Sequence, residues 1–291
     1  MAANNLAYQY KTANIIIKII AINAIIFIVV GLAAFLFDSS QAAITSWFSL
    51  PEDLGQLILQ PWSLITYSFL HFGFFHILFN MLWLHFFGKF ILTLFSEKRF
   101  LTVYLLGAFF GGLLFVVSYN VFPAFINSRS FLIGASGAVT AIMVFIATYT
   151  PNTAFRIFSW TIKLWQIAAV LFILDLVRLP SSGNAGGLLA HVGGGLFGYV
   201  YATQLAKGKD IGLWFEKIID WVENLLKPRS KKPFKTVHRT KKTTTTRTSK
   251  TTGKNDHQKK IDAILDKIGK SGYDSLTKTE KDFLFKAGKE E

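Results

Sequence analysis

Residues 71–87 read HFGFFHILFNMLWLHFF. Apart from Gly73 and four polar side chains, His71, His76, Asn80 and His85, every residue in this run is large and apolar, and none is charged. Extended to residues 72–95, the run is long enough for one bilayer crossing, which takes about 20 apolar residues. Polar groups inside hydrocarbon are costly, so they carry the most information about function. His76 and Asn80 are four residues apart and share one helix face. His71, five residues before His76, is less well aligned. His85 lies deeper in the run and reads as structural.

Five further apolar runs flank this one, at roughly 14–37, 100–122, 132–150, 162–179 and 187–206, giving six candidate spans. The fifth and sixth are diluted by Asp175, Arg178 and several glycines. The first has no short apolar core leading to a small-residue cleavage site, so it reads as a retained helix rather than a signal peptide. With the N-terminus inside, the inner segments hold Lys11 and Lys18, Lys98 and Arg99, Arg156 and Lys163, and the whole tail. The outer loops hold Arg129 and, at a helix end, Arg178. This agrees with the positive-inside rule and puts both termini in the cytoplasm. The outer connection over 38–71 includes Trp47, Phe48, Leu50, Leu54, Leu57, Ile58, Leu59, Trp62 and Leu64. It is too apolar for a free loop and too broken to span, and should pack as short helices at the interface.

Composition sets the outer bounds. The 291 residues are 52% hydrophobic and 16% charged, against about 25% charged in a soluble domain. Residues 1–206 hold nine Lys and Arg and five Asp and Glu, whereas residues 207–291 hold twenty-two and twelve. A membrane domain with a basic tail accounts for the net charge of +14 without nucleic acid, and none is expected as a partner. Zero cysteines exclude thiol catalysis, cysteine zinc sites and disulfides.

Spans two, four and six all enter from the outer side. The fourth opens on GASGAVTA, with Ser136 between Gly134 and Gly137. The sixth opens on AHVGGGLFG, with His191 about one turn in. His76, Asn80, Ser136 and His191 therefore fall at similar depth below the outer surface. Such a set permits acyl transfer. A serine hydroxyl needs a base to take its proton, and a neutral imidazole within hydrogen-bond reach serves. The tetrahedral oxyanion needs preorganised donors, for which the Ser136 amide, the Asn80 side chain and the His76 ring are candidates. Glycines beside Ser136 let a substrate backbone come close.

Each element also has a packing reading. GASGA is a small-residue face of the kind membrane helices pair through. Gly194 and Gly198 form a GxxxG that lets span six lie close against span four. Histidines in spans serve as hydrogen-bonded glue, and could ligate a metal, although no HExxH occurs. Asp175 could orient His191 as a third member of a triad. The reading adopted is an interfacial pair with Arg178, three residues on, and a dyad without a carboxylate, since an ionised Asp in the membrane is expensive.

Together the motifs resemble the rhomboid family of intramembrane serine proteases over roughly residues 50–206. The family's histidine followed by HxxxN matches His71, His76 and Asn80. Its GxSG matches Gly134, Ser136 and Gly137. Its AHxxG and following glycine match Ala190, His191, Gly194 and Gly198. Glu97 and Arg99, just after span two, are weakly similar to a recurring inner-end region. The resemblance implies a six-span bacterial-type bundle with Ser136 as nucleophile and His191 as general base. The oxyanion would be held by His76, Asn80 and the Ser136 amide, with Gly134, Gly137, His71, Gly194 and Gly198 in support. It implies transmembrane-helix substrates cut near their outer end, and no cofactor or metal. The chain departs from the family at Thr140, where members often carry an aromatic that packs on the catalytic histidine.

The expected fold is therefore all-α, a polytopic membrane protein. Residues 1–206 form the six-span domain, 207–227 an amphipathic interfacial helix, 228–256 a basic, Thr-rich disordered linker and 257–291 a small cytoplasmic helical hairpin. In the interfacial helix Ile211, Trp214, Phe215, Ile218, Ile219, Trp221, Val222, Leu225 and Leu226 recur at helical spacing. The linker should be drawn to anionic lipid. The hairpin is too small for a robust core and invites a cytoplasmic partner. The expected activity is a serine endopeptidase in a bacterial inner membrane, with the bilayer and transmembrane proteins as partners. The rivals are an inactive rhomboid-like binder of membrane helices and a small transporter. The transporter is disfavoured because the polar groups lie toward one end of the spans and no repeat is evident.

Overall fold

The computed structural model describes residues 6–125, 128–157, 159–181, 183–226 and 254–287. The chain divides into two compact units, residues 1–230 and 231–291. The first begins with α1 (Leu6–Thr12), α2 (Ile15–Leu36) and α3 (Gln41–Ile44). The two-residue strand β1 (Leu50–Pro51), α4 (Leu54–Leu59), α5 (Ser63–Thr66) and a 3-10 turn at Tyr67–Phe69 follow. Then come α6 (Phe74–Leu94), α7 (Glu97–Val121), β2 (Phe131–Leu132) and α8 (Ser136–Tyr149). A hairpin of β3 (Ala154–Ile157) and β4 (Trp160–Lys163) leads into α9 (Leu164–Arg178), α10 (Ala185–Ala206) and α11 (Leu213–Leu226). Three of these helices, α2, α6 and α7, are long and apolar enough to cross a membrane, and α8 is a shorter apolar helix.

Helix starts follow local chemistry. Asn14 accepts the Ile17 N–H at 3.2 Å, Ser96 that of Arg99 at 3.2 Å and Asn184 that of Gly187 at 3.1 Å. Each satisfies an amide that a helix start would leave orphaned. Ser96 starts α7 three residues before the apolar run at 100, and Asn184 starts α10 two residues before the expected 187. His191 therefore lies nearly two turns into α10 rather than one.

The first unit is not purely helical. Leu50 and Pro51 pair antiparallel with Leu132 and Phe131, and Ala154–Ile157 pair with Trp160–Lys163. The first pairing takes Leu132 out of the expected fourth span, and α8 begins at Ser136 itself. The second takes Ile162 and Lys163 out of the fifth. The outer connection is a run of short helices knit by side-chain-to-carbonyl bonds. Trp62 Nε1 donates to Trp47 O at 2.7 Å, Thr66 Oγ1 to Phe48 O at 2.8 Å and Gln60 Nε2 to Ser49 O at 3.1 Å.

Helix α8 is the centre of the bundle. It is buried at every position from Gly137 to Ile146 except Val144, and α6, α7, α9 and α10 all pack on it. Its crossing with α10 is backbone on backbone. A methyl added at Gly194 would overlap the Gly137 carbonyl oxygen, and one at Gly198 would overlap that of Ala141. On the other side a methyl at Gly107 of α7 would overlap the Ala141 side chain. Close approach of this kind maximises dispersion contact where lipid offers no hydrophobic driving force between helices. The buried Tyr67 hydroxyl donates to Ala108 O at 2.8 Å, and the Tyr67 carbonyl accepts the Gly134 N–H at 2.9 Å. One residue thus ties α7 to the loop that precedes α8.

At the opposite end of α7, Arg99 Nε donates to Glu216 Oε1 at 2.6 Å and its guanidinium also pairs with Asp210. Tyr201 OH donates to the other Asp210 oxygen at 3.0 Å, and Lys98 pairs with Asp220. These contacts dock α11 against the start of α7, while Trp214, Trp221 and Leu225 stay exposed.

In the second unit, α12 (Lys254–Ser271) begins inside the expected linker, whose residues 228–253 lie outside the described residues. A 3-10 turn at Tyr273–Ser275 leads to α13 (Lys278–Ala287). Thr277 and Glu280 form a capping box: Glu280 Oε2 accepts the Thr277 N–H at 2.8 Å, and Thr277 Oγ1 accepts the Glu280 N–H at 3.4 Å. Lys267 of α12 donates to both carboxylate oxygens, at 2.9 and 3.0 Å. The Lys267 ammonium, followed by the Thr277 donors, holds the Glu280 carboxyl down at about 2.

Two outcomes follow from this packing. Gly198→Val forces a side chain into the Ala141 carbonyl, an overpacking cost of about 1–3 kcal/mol. Its thermal midpoint in detergent should fall by several degrees, while that of Gly183→Ala, where an added methyl meets nothing within 4 Å, should not move. Because the Glu280 carboxyl is depressed in the folded chain, its contribution is full above the ordinary carboxylate range and is lost as pH falls toward about 2. Amide protection factors in α13 of the full chain should drop between pH 5 and 2, and Glu280→Gln should lower them at pH 7 and flatten that drop.

Candidate active site

The loop before α8 turns sharply at Gly134, whose φ of +113° suits a residue without a Cβ. A methyl there would lie 2.6 Å from His76 Nε2 and 2.8 Å from Cε1. The His76 ring therefore lies flush against the backbone two residues before Ser136. His71, almost fully buried, accepts the Ala135 N–H on Nε2 at 3.3 Å and meets the His76 ring edge-on at a centroid distance of 4.9 Å. The two histidines brace the turn from one side, and Tyr67 braces it from the other.

Ser136 is the first residue of α8 and is half-buried, and Ala135 before it offers no side-chain cap. The first amides of a helix lack intrahelical partners and carry the positive end of its dipole. That end suits a developing negative charge. Asn80, buried on α6 one turn below His76, donates one N–H to His76 O at 2.8 Å; an amide carries a second.

His191 arrives from α10. A methyl on Gly137 would lie 3.2 Å from Ala190 O, and Gly194 packs on the Gly137 carbonyl. The residue after Ser136 thus touches the residue before His191. The turn at the top of α8 gathers Gly134, Ser136, Gly137, His71, His76 and His191, with Asn80 one turn below. Gly198 lies deeper and serves the helix crossing. Glu97 and Arg99 lie at the other end of α7, in or beside the α11 contact, away from this cluster.

Asp175 corrects the sequence reading. It does not pair with Arg178. Its Oδ2 lies 2.7 Å from His191 Nδ1, and among the described residues Arg178 makes no ion pair with it. The reason is rotational. Asp175 is turned inward on the face of α9 that meets α10, while Arg178, in the last turn, is exposed. One turn earlier on that face, the Phe172 ring lies 2.8 Å from where a Gly195 methyl would be. The signal available in sequence was the pair Phe172 and Asp175, three apart on a helix passing the glycine-rich face of α10. Thr140 lies on the same side, with its Cγ2 3.5 Å from that Gly195 position.

The rhomboid domain family matches residues 59–208, just over half of the chain. A family of unknown function, DUF6576, matches residues 251–287. Among curated proteins the chain is similar to the mitochondrial RHOMBOID-like protein 12 of Arabidopsis thaliana. Identity is 29% over 158 residues, covering 50% of this chain and 47% of that protein. It is also similar to rhomboid protease GlpG of Yersinia pestis (strain Pestoides F), 28% identical over 167 residues, 55% of this chain and 53% of that one. For GlpG of Serratia proteamaculans (strain 568) the figures are 28% over 165 residues, 54% and 52%. The chain spans about half the length of the curated relatives it matches. The matched region runs from α4 through α10, so the helices that build this cluster are those the family shares, and the chain is an integral membrane protein belonging to the rhomboid family.

Proposed function

We propose that this chain is an intramembrane serine endopeptidase with six transmembrane helices, α2, α6, α7, α8, α9 and α10, and both termini in the cytoplasm of a bacterium. Its substrates are membrane-spanning helices of other proteins, cleaved near their outer end. The observation that carries the reading is the crossing at which Gly137 meets Ala190, with the His76 ring beside it. Two relatives bearing the name rhomboid protease support it, and the distribution of Lys and Arg supports the orientation. The bilayer is the working environment. No nucleic acid partner is proposed, and the α12–α13 unit is offered a cytoplasmic protein partner.

In this mechanism Ser136 Oγ attacks the scissile carbonyl carbon as His191 Nε2 takes the hydroxyl proton. The carbonyl electron pair moves onto oxygen, where the Ser136 amide, the His76 ring and the free N–H of Asn80 stabilise it. The C–N bond breaks, and the Nε2 proton passes to the departing amine. Water then attacks the acyl-enzyme by the same route, releasing Ser136. A helical substrate hides its carbonyls in its own hydrogen bonds and must unwind first. A site at the outer end of the spans gives access to the water that unwinding and hydrolysis both need.

A fluorophosphonate probe tests this on the purified full chain in detergent. The wild type should label, and both Ser136→Ala and His191→Ala should not. An unlabelled wild type beside a labelling control rhomboid would instead favour the inactive helix-binding reading. Asn80→Ala should lower the maximal labelling rate by about 10²-fold, the scale of one oxyanion donor, with little change in the probe's half-saturating concentration. Equal changes in both would remove Asn80 from the oxyanion site.

A further inference from the structure

The Asp175–His191 contact joins α9 to α10 and is expensive to build in lipid. A carboxylate in a span costs several kcal/mol unless it is partnered. Here both side chains are mostly shielded, at 22% and 18% exposure, and the partner is the histidine assigned above as the base for Ser136. The contact is made at Nδ1, 2.7 Å from Oδ2. That choice of nitrogen has chemical consequences.

A neutral imidazole carries its proton on one nitrogen, and the bond made by the other decides which. With the proton on Nδ1, the ring donates to the carboxylate and leaves the Nε2 lone pair open. With the proton on Nε2, the Nδ1 lone pair would face carboxylate lone pairs across 2.7 Å, which is repulsive. The carboxylate therefore selects the tautomer able to accept a proton from Ser136. It also fixes the ring rotation from a second helix, which α10 alone cannot do. When Nε2 takes the serine proton, the imidazolium that forms has its counter-charge already in place. Asp175 itself gains no proton at any step.

Register between the helices makes this a built arrangement. Phe172 and Asp175 lie three apart on one face of α9. Gly195 and His191 lie four apart on one face of α10. The antiparallel helices match Phe172 to Gly195 and Asp175 to His191. The absence of a side chain at Gly195 lets the Phe172 ring in, and Thr140 lies 3.5 Å from the same spot. A large ring at 140 would compete with Phe172 for that space.

We propose that Asp175 is a positioning residue for His191, so that the chain works through an aligned Ser136–His191–Asp175 set in which α9 supplies the histidine's support in place of an aromatic at 140. This rests on the protease reading above and deepens it.

The test uses the full-length chain in detergent with the same fluorophosphonate probe. Asp175→Ala and Asp175→Asn should lower the maximal labelling rate roughly 10- to 100-fold, part of the about 10²–10⁴-fold a positioned base supplies. The half-saturating probe concentration should stay within about twofold. Asp175→Glu, which keeps the charge, should recover part of the loss. In ¹⁵N-histidine spectra, with His191→Gln to assign the signal, wild-type His191 should carry its proton on Nδ1, and Asp175→Ala should shift the population toward Nε2–H. Wild-type labelling rates in Asp175→Ala would overturn the proposal. So would an unchanged tautomer, or a loss shared equally by rate and half-saturation and not recovered by Asp175→Glu, which marks mere packing. Failure of the wild type to label would bring down the dyad itself, and is told apart because it needs no Asp175 variant.

Discussion

Where α8 and α10 cross, main chain meets main chain with no side chain between them. Gly194 against Gly137 and Gly198 against Ala141 bring the two axes closer than any larger residue permits. In water such an interface would gain from expelling solvent. In lipid it gains from dispersion over closely matched surfaces, so each added methyl is felt directly. The crossing fixes more than stability. It sets the distance from the first turn of α8 to the second turn of α10, and that distance determines whether a hydroxyl on one can meet an imidazole on the other.

Around this fixed point the polar groups differ in burial, with His71 and Asn80 buried and His76, Ser136 and His191 partly exposed. His71 is sealed behind the loop and spends Nε2 on the Ala135 amide. His76 sets the Nε2–Cε1 edge of its ring against Gly134 and, like Ser136, is partly exposed, while the His191 side chain is mostly shielded. His71 holds the shape of the turn through the Ala135 amide, and the partly exposed Ser136 opens α8. Tyr67 links this end to α7 through its hydroxyl and to the turn through its carbonyl, so the turn before Ser136 is held by the Tyr67 main chain and by the His71 and His76 rings.

Much of this could be read from residues alone, because membrane helices announce themselves by length and apolarity. The apolar runs located α2, α6 and α7 to within a few residues, and the positions of Ser136, His76, Asn80 and His191 at helix mouths brought them to one end. What escaped was information that crosses between elements. Leu132 looks like the start of an apolar helix, and it joins a strand because Leu50 and Pro51 are there to pair with Leu132 and Phe131. Asp175 and Arg178 look like an i, i+3 pair, the one partnership a single helix can express. The partner chosen by Asp175 depends on the rotation of α9 against α10, which no local pattern encodes. The Arg99, Asp210, Glu216 and Tyr201 network was illegible for the same reason: Arg99 lies more than a hundred residues before its three partners along the chain.

The fit of the His76 ring on Gly134 has a consequence for the order in which this site could change. Any side chain at 134 needs the ring to retreat and a backbone φ that L residues rarely adopt. Shrinking residue 76 relieves the first obstacle and leaves the second. The coupling therefore runs one way: residue 76 can shrink while Gly134 stays, but Gly134 can vary only after residue 76 has shrunk and the turn has been rebuilt. A lineage that lost the histidine first would keep the glycine as a relic of its shape.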